Sequence, residues 1–133
     1  MTDEAGLKAI VQAVYAHAGA GDWEACEACL SPDLVIFEAD GLPYAGTFRG
    51  RDALQRLHGQ VMAHWADPRI DFHAMTVGDG HVVSLVTFRL TSRITGKSVA
   101  MPLAEVFRIE AGLVTEIRPF YFDPAAVGAL DHA

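Results

Sequence analysis

The hydrophobic positions in the first half of the chain predict three helices and one strand. Apolar side chains recur at close to helical spacing over residues 3 to 20, and two glycines end that pattern. Asp22 is placed to cap a short second helix, DWEACEACL, which Pro32 stops. The run LVIFEA at residues 34 to 39 predicts a strand, and residues 51 to 66 carry the apolar side of a third helix.

The second half of the chain changes to alternating hydrophobic positions. Residues 70 to 122 break into four predicted strands, separated by the turns GDG, RITGK and EAG, whose glycines are typical of antiparallel connections. The closing DPAAVGAL predicts a short helix. Helices followed by an antiparallel sheet indicate an α+β fold with one sheet face buried against the helices. We expect a single domain over residues 1–133.

One predicted strand carries an acidic residue within its apolar row. Because side chains alternate along a strand, the odd positions from 99 to 109 share one face, and Glu105 is the only charged residue among them. Burying a carboxylate costs several kcal/mol unless it is paired or neutral. Three alternatives follow: Glu105 pairs with Arg89 or Arg118, it reaches water at the sheet rim, or it lines a cavity. The sequence leaves these open.

A second acidic residue lies near the end of the first predicted strand. Glu38 shares a face with Ile36 and precedes the turn-rich loop ADGLPYAG. Alternation over so few residues is ambiguous, so Glu38 is either a solvated strand-end residue or a second carboxyl group in the same cavity.

Composition and charge narrow the function classes. Hydrophobic residues make up 51% of the 133 residues, and 17 Asp and Glu against 10 Lys and Arg give a net charge of −7. An acidic chain without a basic cluster argues against nucleic acid and against an anionic membrane as partners. No apolar run is long enough to span a bilayer, and no signal peptide is apparent at the start. Cys26 and Cys29 are interpreted as small helix residues in a reducing cytoplasm.

Two long stretches give the chain a family resemblance. AVYAHAGAGDWEACEACLSPDLVIFEADG with YAGTFRGRDAL, and AEVFRIEAGLVTEIRPFYFD near the end, resemble the SnoaL-like, ketosteroid-isomerase-like family of the nuclear-transport-factor-type superfamily. The resemblance covers residues 8 to 123. It implies a cone-shaped α+β barrel, in which a curved antiparallel sheet wraps around three helices of the N-terminal half and leaves a pocket. It also implies a homodimer formed through the sheet.

The resemblance implies roles for both acidic residues. In the isomerases of this family the base lies sixteen residues after the aspartate of the GD turn, which is Glu38 here. Their neutral carboxylic acid precedes an F-R pair by two residues, which is Glu105. Their tyrosine lies eight residues before the GD aspartate, but Val14 occupies that position, and Tyr15 is displaced by about 100° around the helix.

Further candidates come from the predicted third helix and from the aromatic residues. His58 flanks the apolar side of that helix and is a candidate acid, base or hydrogen-bond partner of Glu38, or else a partly solvated helix-edge residue. The six histidines lack metal-ligand spacing, so we expect neither a metal nor a cofactor. Candidate substrate-binding residues, with core packing as the alternative, are apolar or aromatic: Tyr15, Trp23, Tyr44, Phe48, Met62, Trp65, Phe88, Met101 and Tyr121.

Two functions fit these observations. The first is an isomerase or polyketide-cyclase-like lyase acting on a hydrophobic, carbonyl-containing, polyketide- or steroid-like substrate. Glu38 would take a proton next to the carbonyl, and Glu105, His58 or Tyr121 would donate to the developing oxyanion. The second is a non-catalytic module that binds a small hydrophobic or aromatic ligand or serves as a dimeric association domain. A cavity shared by both carboxyl groups favours the first, and an arginine paired with Glu105 favours the second.

Overall fold

The computed structural model describes residues 3–133, and over that range the chain forms four helices and six strands. In chain order these are α1 (Glu4–Ala20), α2 (Trp23–Glu27), β1 (Leu30–Glu38), β2 (Gly46–Arg49), α3 (Ala53–His64), β3 (Arg69–Gly78), β4 (His81–Thr91), β5 (Ser98–Glu110), β6 (Leu113–Tyr121) and α4 (Pro124–Ala129).

The six strands form one curved mixed sheet in the order β2-β1-β6-β5-β4-β3. Helices α1 and α3 pack on its concave side, against β3, β4 and β1. The predicted α+β class, with three helices from the N-terminal half, is confirmed. One pairing differs from the prediction of an antiparallel sheet, because β1 runs parallel to β6 with Ile36 opposite Ile117. Side-chain alternation is the same in both directions and therefore carries no information on strand polarity.

The start of β1 differs from the prediction. Asp22 caps α2 as expected, by accepting a hydrogen bond from the backbone N–H of Ala25 at 3.2 Å. The helix ends at Glu27, however, and β1 begins at Leu30 rather than at residue 34. Pro32 lies within the strand, where the register with β6 is broken, so its missing N–H interrupts no regular ladder.

Two of the predicted turns have the backbone geometry of tight hairpin turns. Consecutive positive φ angles at Asp79 and Gly80, 49° and 76°, and at Ala111 and Gly112, 51° and 79°, are those of tight turns whose twist matches antiparallel strands. The second turn joins β5 to β6 and, with a one-residue register shift further along, places Glu105 opposite Pro119.

The predicted alternation in β5 is confirmed. Met101, Leu103, Phe107 and Ile109 are buried on the concave face, where the core of the domain lies. The even-numbered residues of β5 face the outer, convex side of the sheet, whereas Glu105 belongs to the odd-numbered row. Glu105 therefore projects from the sheet towards the helices.

Candidate active site

A cavity of about 790 Å³ lies between the concave face of the sheet and helices α1 and α3. This volume is in the usual range for small-molecule sites. Seven of the twelve residues singled out from the sequence line it: Tyr15, Glu38, Tyr44, His58, Phe88, Glu105 and Tyr121.

Glu105 faces this cavity from the centre of β5. The hydroxyl of Tyr15, on α1, donates a hydrogen bond to Glu105 Oε1 at 2.6 Å. Burial raises the pKa of Glu105 because it disfavours the charged form, and the hydrogen bond from Tyr15 opposes that effect. The Glu105 side chain is half-buried, because protein surrounds it on the sides that do not open onto the cavity.

Neither arginine considered from the sequence reaches Glu105. Arg89 instead pairs with Asp71 at 2.6 Å on the exposed surface. Arg118 lies over the ring of Phe37, with its guanidinium carbon 4.1 Å from the ring centre. Within residues 3–133 no arginine or lysine makes a salt bridge to Glu105. Of the three alternatives, the cavity is the one observed.

Glu38 lies in the same cavity at the end of β1. It is 8% exposed, and its Oε2 atom is buried with no hydrogen-bond partner among the described residues. Burial, and secondarily the charge of Glu105, raise the pKa of Glu38 to about 8. Continued by two residues, the β1–β6 register brings Glu38 beside Pro119, whose other neighbour is Glu105. The two carboxyl groups thus flank one strand, with Cα atoms about 10 Å apart at ordinary strand spacing.

A phenol reaches Glu105 even though the family's tyrosine position holds valine. The sequence leaves the direction of Tyr15 undetermined; the structure directs its hydroxyl into the cavity, and its ring packs edge-on against Phe72 and Phe107 at 4.7 and 5.6 Å between centroids. Val14 lines the cavity as well. Burial, together with the neighbouring Glu105, raises the pKa of Tyr15, so the phenol stays protonated.

Two further phenols lie on the Glu38 side of the cavity. The hydroxyls of Tyr44 and Tyr121 are 3.4 Å apart, and the indole N–H of Trp65 donates to Tyr44 at 3.1 Å. Burial raises the pKa of both tyrosines. Each phenol is therefore a potential hydrogen-bond donor to a bound ligand.

His58, which the sequence left open between a cavity residue and a partly solvated helix-edge residue, lines the cavity from α3. Its ring packs against Trp23 with 5.1 Å between centroids. Burial lowers the pKa of His58, because the cationic form is poorly solvated there. The imidazole is thus neutral near pH 7, able to donate from one nitrogen and accept at the other.

The other five candidates do not line the cavity. Trp65 and Met101 are buried in the core behind its wall, and Phe48 is buried on β2. Met62 is largely exposed on α3, and Trp23 lies on the far side of His58. Aromatic and long apolar side chains fill cores and cavity walls alike, so residue type did not separate the two.

The sequence analysis missed the wall residues on the edge strand β3, among them Ile70 and Phe72. Ile70 and Phe72 are 37% and 55% exposed although they line the cavity, so they mark its mouth. A register shift at His73 changes the phase of the strand, so that Met75 and Val77 continue the inward row from odd positions. That change of phase in the apolar pattern was the available signal.

Two features are absent from residues 3–133. No group of three or more His, Cys, Asp or Glu residues in this range is arranged to hold a metal ion. None of the helices in the described part of the chain is long and apolar enough to cross a membrane.

The fold and cavity define a class: a small α+β cone domain with an apolar ligand cavity that contains two buried carboxyl groups. The family model described as the SnoaL-like domain matches residues 11–117, and the chain belongs to that family. An uncharacterized protein of Mycobacterium tuberculosis (strain ATCC 25618 / H37Rv) is 30% identical over 129 residues, covering 95% of each chain.

Solved structures share the fold. An NTF2-like protein of unknown function from Burkholderia pseudomallei K96243 superposes with a TM-score of 0.82 at 27% identity, covering 96% of this chain and 98% of that one. TerC, co-crystallized with polyporic acid, superposes with a TM-score of 0.81 at 18% identity, covering 96% and 99%.

Proposed function

We propose that the protein is an acid–base enzyme of the isomerase or polyketide-cyclase type, acting on a hydrophobic substrate that contains a carbonyl group. The observation that carries the proposal is the pair of carboxyl groups, Glu38 and Glu105, in one apolar cavity without a basic partner in the described chain. Two carboxyl groups in one desolvated site have different pKa values, because the charge of the first to ionise opposes ionisation of the second. Near neutral pH the pair therefore supplies one proton acceptor and one proton donor.

The chemistry needs both forms at once. An ionised carboxylate takes a proton from the carbon next to the carbonyl, while a neutral acid donates a hydrogen bond to the oxygen on which negative charge develops. The phenols of Tyr44 and Tyr121 and the neutral imidazole of His58 are further donors on the cavity wall. Proton transfer by a positioned side chain contributes about 10² to 10⁴ in rate.

The cavity wall supports a small hydrophobic or aromatic substrate. Leu57, Phe88, Leu103 and Ile117 supply apolar surface, and the cavity volume of about 790 Å³ accommodates a multi-ring compound. We therefore propose a neutral or weakly polar cyclic substrate, polyketide- or steroid-like. The co-crystal of TerC with polyporic acid is consistent with this size, although that protein shares only the fold.

Hydrogen–deuterium exchange on cyclic ketones tests the proposal. The purified protein is incubated with a panel of cyclic ketones and phenolic polyketides in D₂O, and loss of the α-proton signal is followed by NMR. We expect exchange above the buffer rate, lowered about 100-fold or more in Glu38→Gln and in Glu105→Gln. Glu110→Gln, an exposed acid on the same strand paired with Arg108 at 2.8 Å, is the matched control and keeps the wild-type rate. If the ketones bind but none exchanges its α-proton above the buffer rate, the proposed enzymatic function is refuted.

A second candidate function is a ligand-binding or dimeric association module. The convex sheet face offers a surface for such an association, because Leu85, Ala104 and Phe120 lie opposite one another across β4, β5 and β6, and Phe120 is 54% exposed. We propose that a second copy of the chain covers this apolar row, whichever function holds.

Oligomeric state tests the dimer. Light scattering after gel filtration should give a dimer for the wild type and a monomer for Phe120→Glu. Ile94→Glu, an equally apolar exposed residue in the β4–β5 connection, should stay dimeric. A monomeric wild type at 100 μM would refute the dimer. For the compartment we propose the cytoplasm, which suits the free thiols of Cys26 and Cys29.

A further inference from the structure

The two carboxyl groups of the cavity differ in the contacts they make. Glu105 Oε1 accepts a short hydrogen bond from the Tyr15 hydroxyl, 2.6 Å long. Glu38 Oε2 is buried and accepts no hydrogen bond from any residue between 3 and 133. An ionised carboxylate in a desolvated site is stabilised by each N–H or O–H donor that points at it, and only Glu105 has such a donor from Tyr15.

Ser84 adds to the support on the Glu105 side. It lies on β4 directly opposite Glu105 and is fully buried. Its hydroxyl makes no hydrogen bond within the described chain, and the Ser84 side chain lowers the pKa of Tyr15 against the larger effect of burial. A small rotation of the Ser84 hydroxyl lets it donate to the Tyr15 oxygen, which strengthens the donation of Tyr15 to Glu105.

Charge repulsion then decides the state of the other acid. When one of two nearby carboxyl groups is ionised, it disfavours ionisation of the second. Repulsion is mutual, so it raises the pKa of whichever acid ionises second, and the charge of Glu105 is among the causes that raise the pKa of Glu38. The contacts give the order of ionisation, because Tyr15 donates to Glu105 while Glu38 Oε2 has no donor in the described chain.

We propose that Glu105 is the ionised base of the pair and Glu38 the neutral acid, with Tyr15 and Ser84 as positioning residues that hold Glu105. The proposal rests on the function proposed above, and it reverses the roles that the family resemblance implies for the two acids.

The proposed proton transfers balance. Glu105 takes the proton from the α-carbon, the electron pair of the broken C–H bond becomes the C=C bond of the enol, and Glu38 gives its proton to the carbonyl oxygen. In an isomerisation, Glu105 then returns its proton to a different carbon while Glu38 recovers the enol proton. Both acids end in their starting states.

Carbon NMR of the carboxyl groups tests the assignment without any substrate. Protein labelled uniformly with ¹³C and ¹⁵N is titrated from pH 3 to 10 as the wild type, Glu38→Gln and Glu105→Gln, and the glutamate Cδ signals are followed. The acid pair should titrate in two steps. We expect the chemical shift of Glu105 Cδ to change in the step at lower pH and that of Glu38 Cδ to change in the step near pH 8. In Glu105→Gln the pKa of Glu38 should fall, because the charge that opposed its ionisation is gone. In Glu38→Gln the Glu105 step should shift by less than about half a unit, because Glu38 is still neutral when Glu105 ionises.

The opposite asymmetry would overturn the assignment. If Glu38→Gln lowers the pKa of Glu105 and Glu105→Gln leaves that of Glu38 in place, then Glu38 ionises first. The wild-type titration, assigned through Cγ–Cδ correlations, decides the order even where a variant fails to fold. The titration measures no turnover, so the two proposals fail separately. Absence of exchange on ketones would refute the enzymatic function without affecting the titration, and a reversed titration order would refute the assignment of base and acid without affecting the exchange result.

Two further variants test the positioning residues. Tyr15→Phe removes the donor and should raise the Glu105 step by about one to two units. Ser84→Ala should raise it less, and Ser84→Thr, which restores a hydroxyl, should return it towards the wild-type value. Tyr121→Phe is the matched loss of a phenol on the other side and should leave the Glu105 step unchanged. An unshifted Glu105 step in Tyr15→Phe would refute the role of Tyr15.

Discussion

Replacing Glu38 by glutamine should make the protein more stable at alkaline pH than the wild type. An acid whose pKa is raised in the folded state binds its proton more tightly there than in the unfolded chain. Between the ordinary value of 4.5 and the folded value of about 8, the folded state therefore carries the extra proton, and stability falls as pH rises. At about 1.4 kcal/mol per pKa unit, the loss from Glu38 grows by about 3 kcal/mol between pH 5.5 and pH 9.

Urea unfolding at pH 5.5, 7 and 9, followed by circular dichroism, measures this loss. Glu105 titrates in both proteins, so the free energy of unfolding of Glu38→Gln minus that of the wild type isolates Glu38. We expect this difference to rise by about 3 kcal/mol from pH 5.5 to pH 9. The corresponding difference between Glu110→Gln and the wild type should vary by less than about 0.5 kcal/mol over the same range. A difference that stays constant within 0.5 kcal/mol from pH 5.5 to 9 would show that Glu38 is solvated, and the desolvated acid pair would be refuted.

Two predictions concern packing away from the two acidic residues. Gly128→Ala should lower the free energy of unfolding by about 1 to 3 kcal/mol, because the added methyl would overlap the carbonyl group of Gly41, while Gly19→Ala, where the methyl meets nothing, should raise it by up to about 1 kcal/mol. Trp65→Phe should cost about 1 to 3 kcal/mol through the lost hydrogen bond to Tyr44 and the lost volume, and urea unfolding of the three variants checks each value. Equal stabilities of the two glycine variants, or a neutral Trp65→Phe, would contradict these packing arguments.

Local pattern predicted most elements of the fold, but it missed the short strand β2 (Gly46–Arg49), and it did not predict how the elements join. Helical spacing and capping identified α1, α2 and α3, and glycine turns identified the hairpins of β3 to β6, because both signals act over a few residues. The parallel pairing of β1 with β6 joins segments some eighty residues apart, and no signal within either strand specifies polarity. The sequence analysis also did not predict that β1 begins at Leu30. It extended the second helix to that residue, because the run CEACL fits a helix.

For the candidate site, too, local features were predicted from the sequence and contacts between distant segments were not. Glu105 was found because one charged residue broke a period-two apolar row, which is a local signal. Whether it faced an arginine or a cavity depended on Arg89 and Arg118, whose directions follow from sheet register. The partnership of Tyr15 with Glu105 spans ninety positions of the chain. It required the crossing of α1 over β5, which a hydrophobic pattern does not encode.

The stability cost of the acid pair is itself an argument for a function. A buried carboxyl group is normally retained because it pairs with a cation, caps a helix or binds a metal, each of which repays its desolvation. In the described chain Glu38 does none of these, and Glu105 accepts one hydrogen bond, from the hydroxyl of Tyr15. Replacement by an apolar residue would relieve the cost at once. An energetic penalty of this size, held at two positions on one cavity wall, is compensated most simply by what enters the cavity.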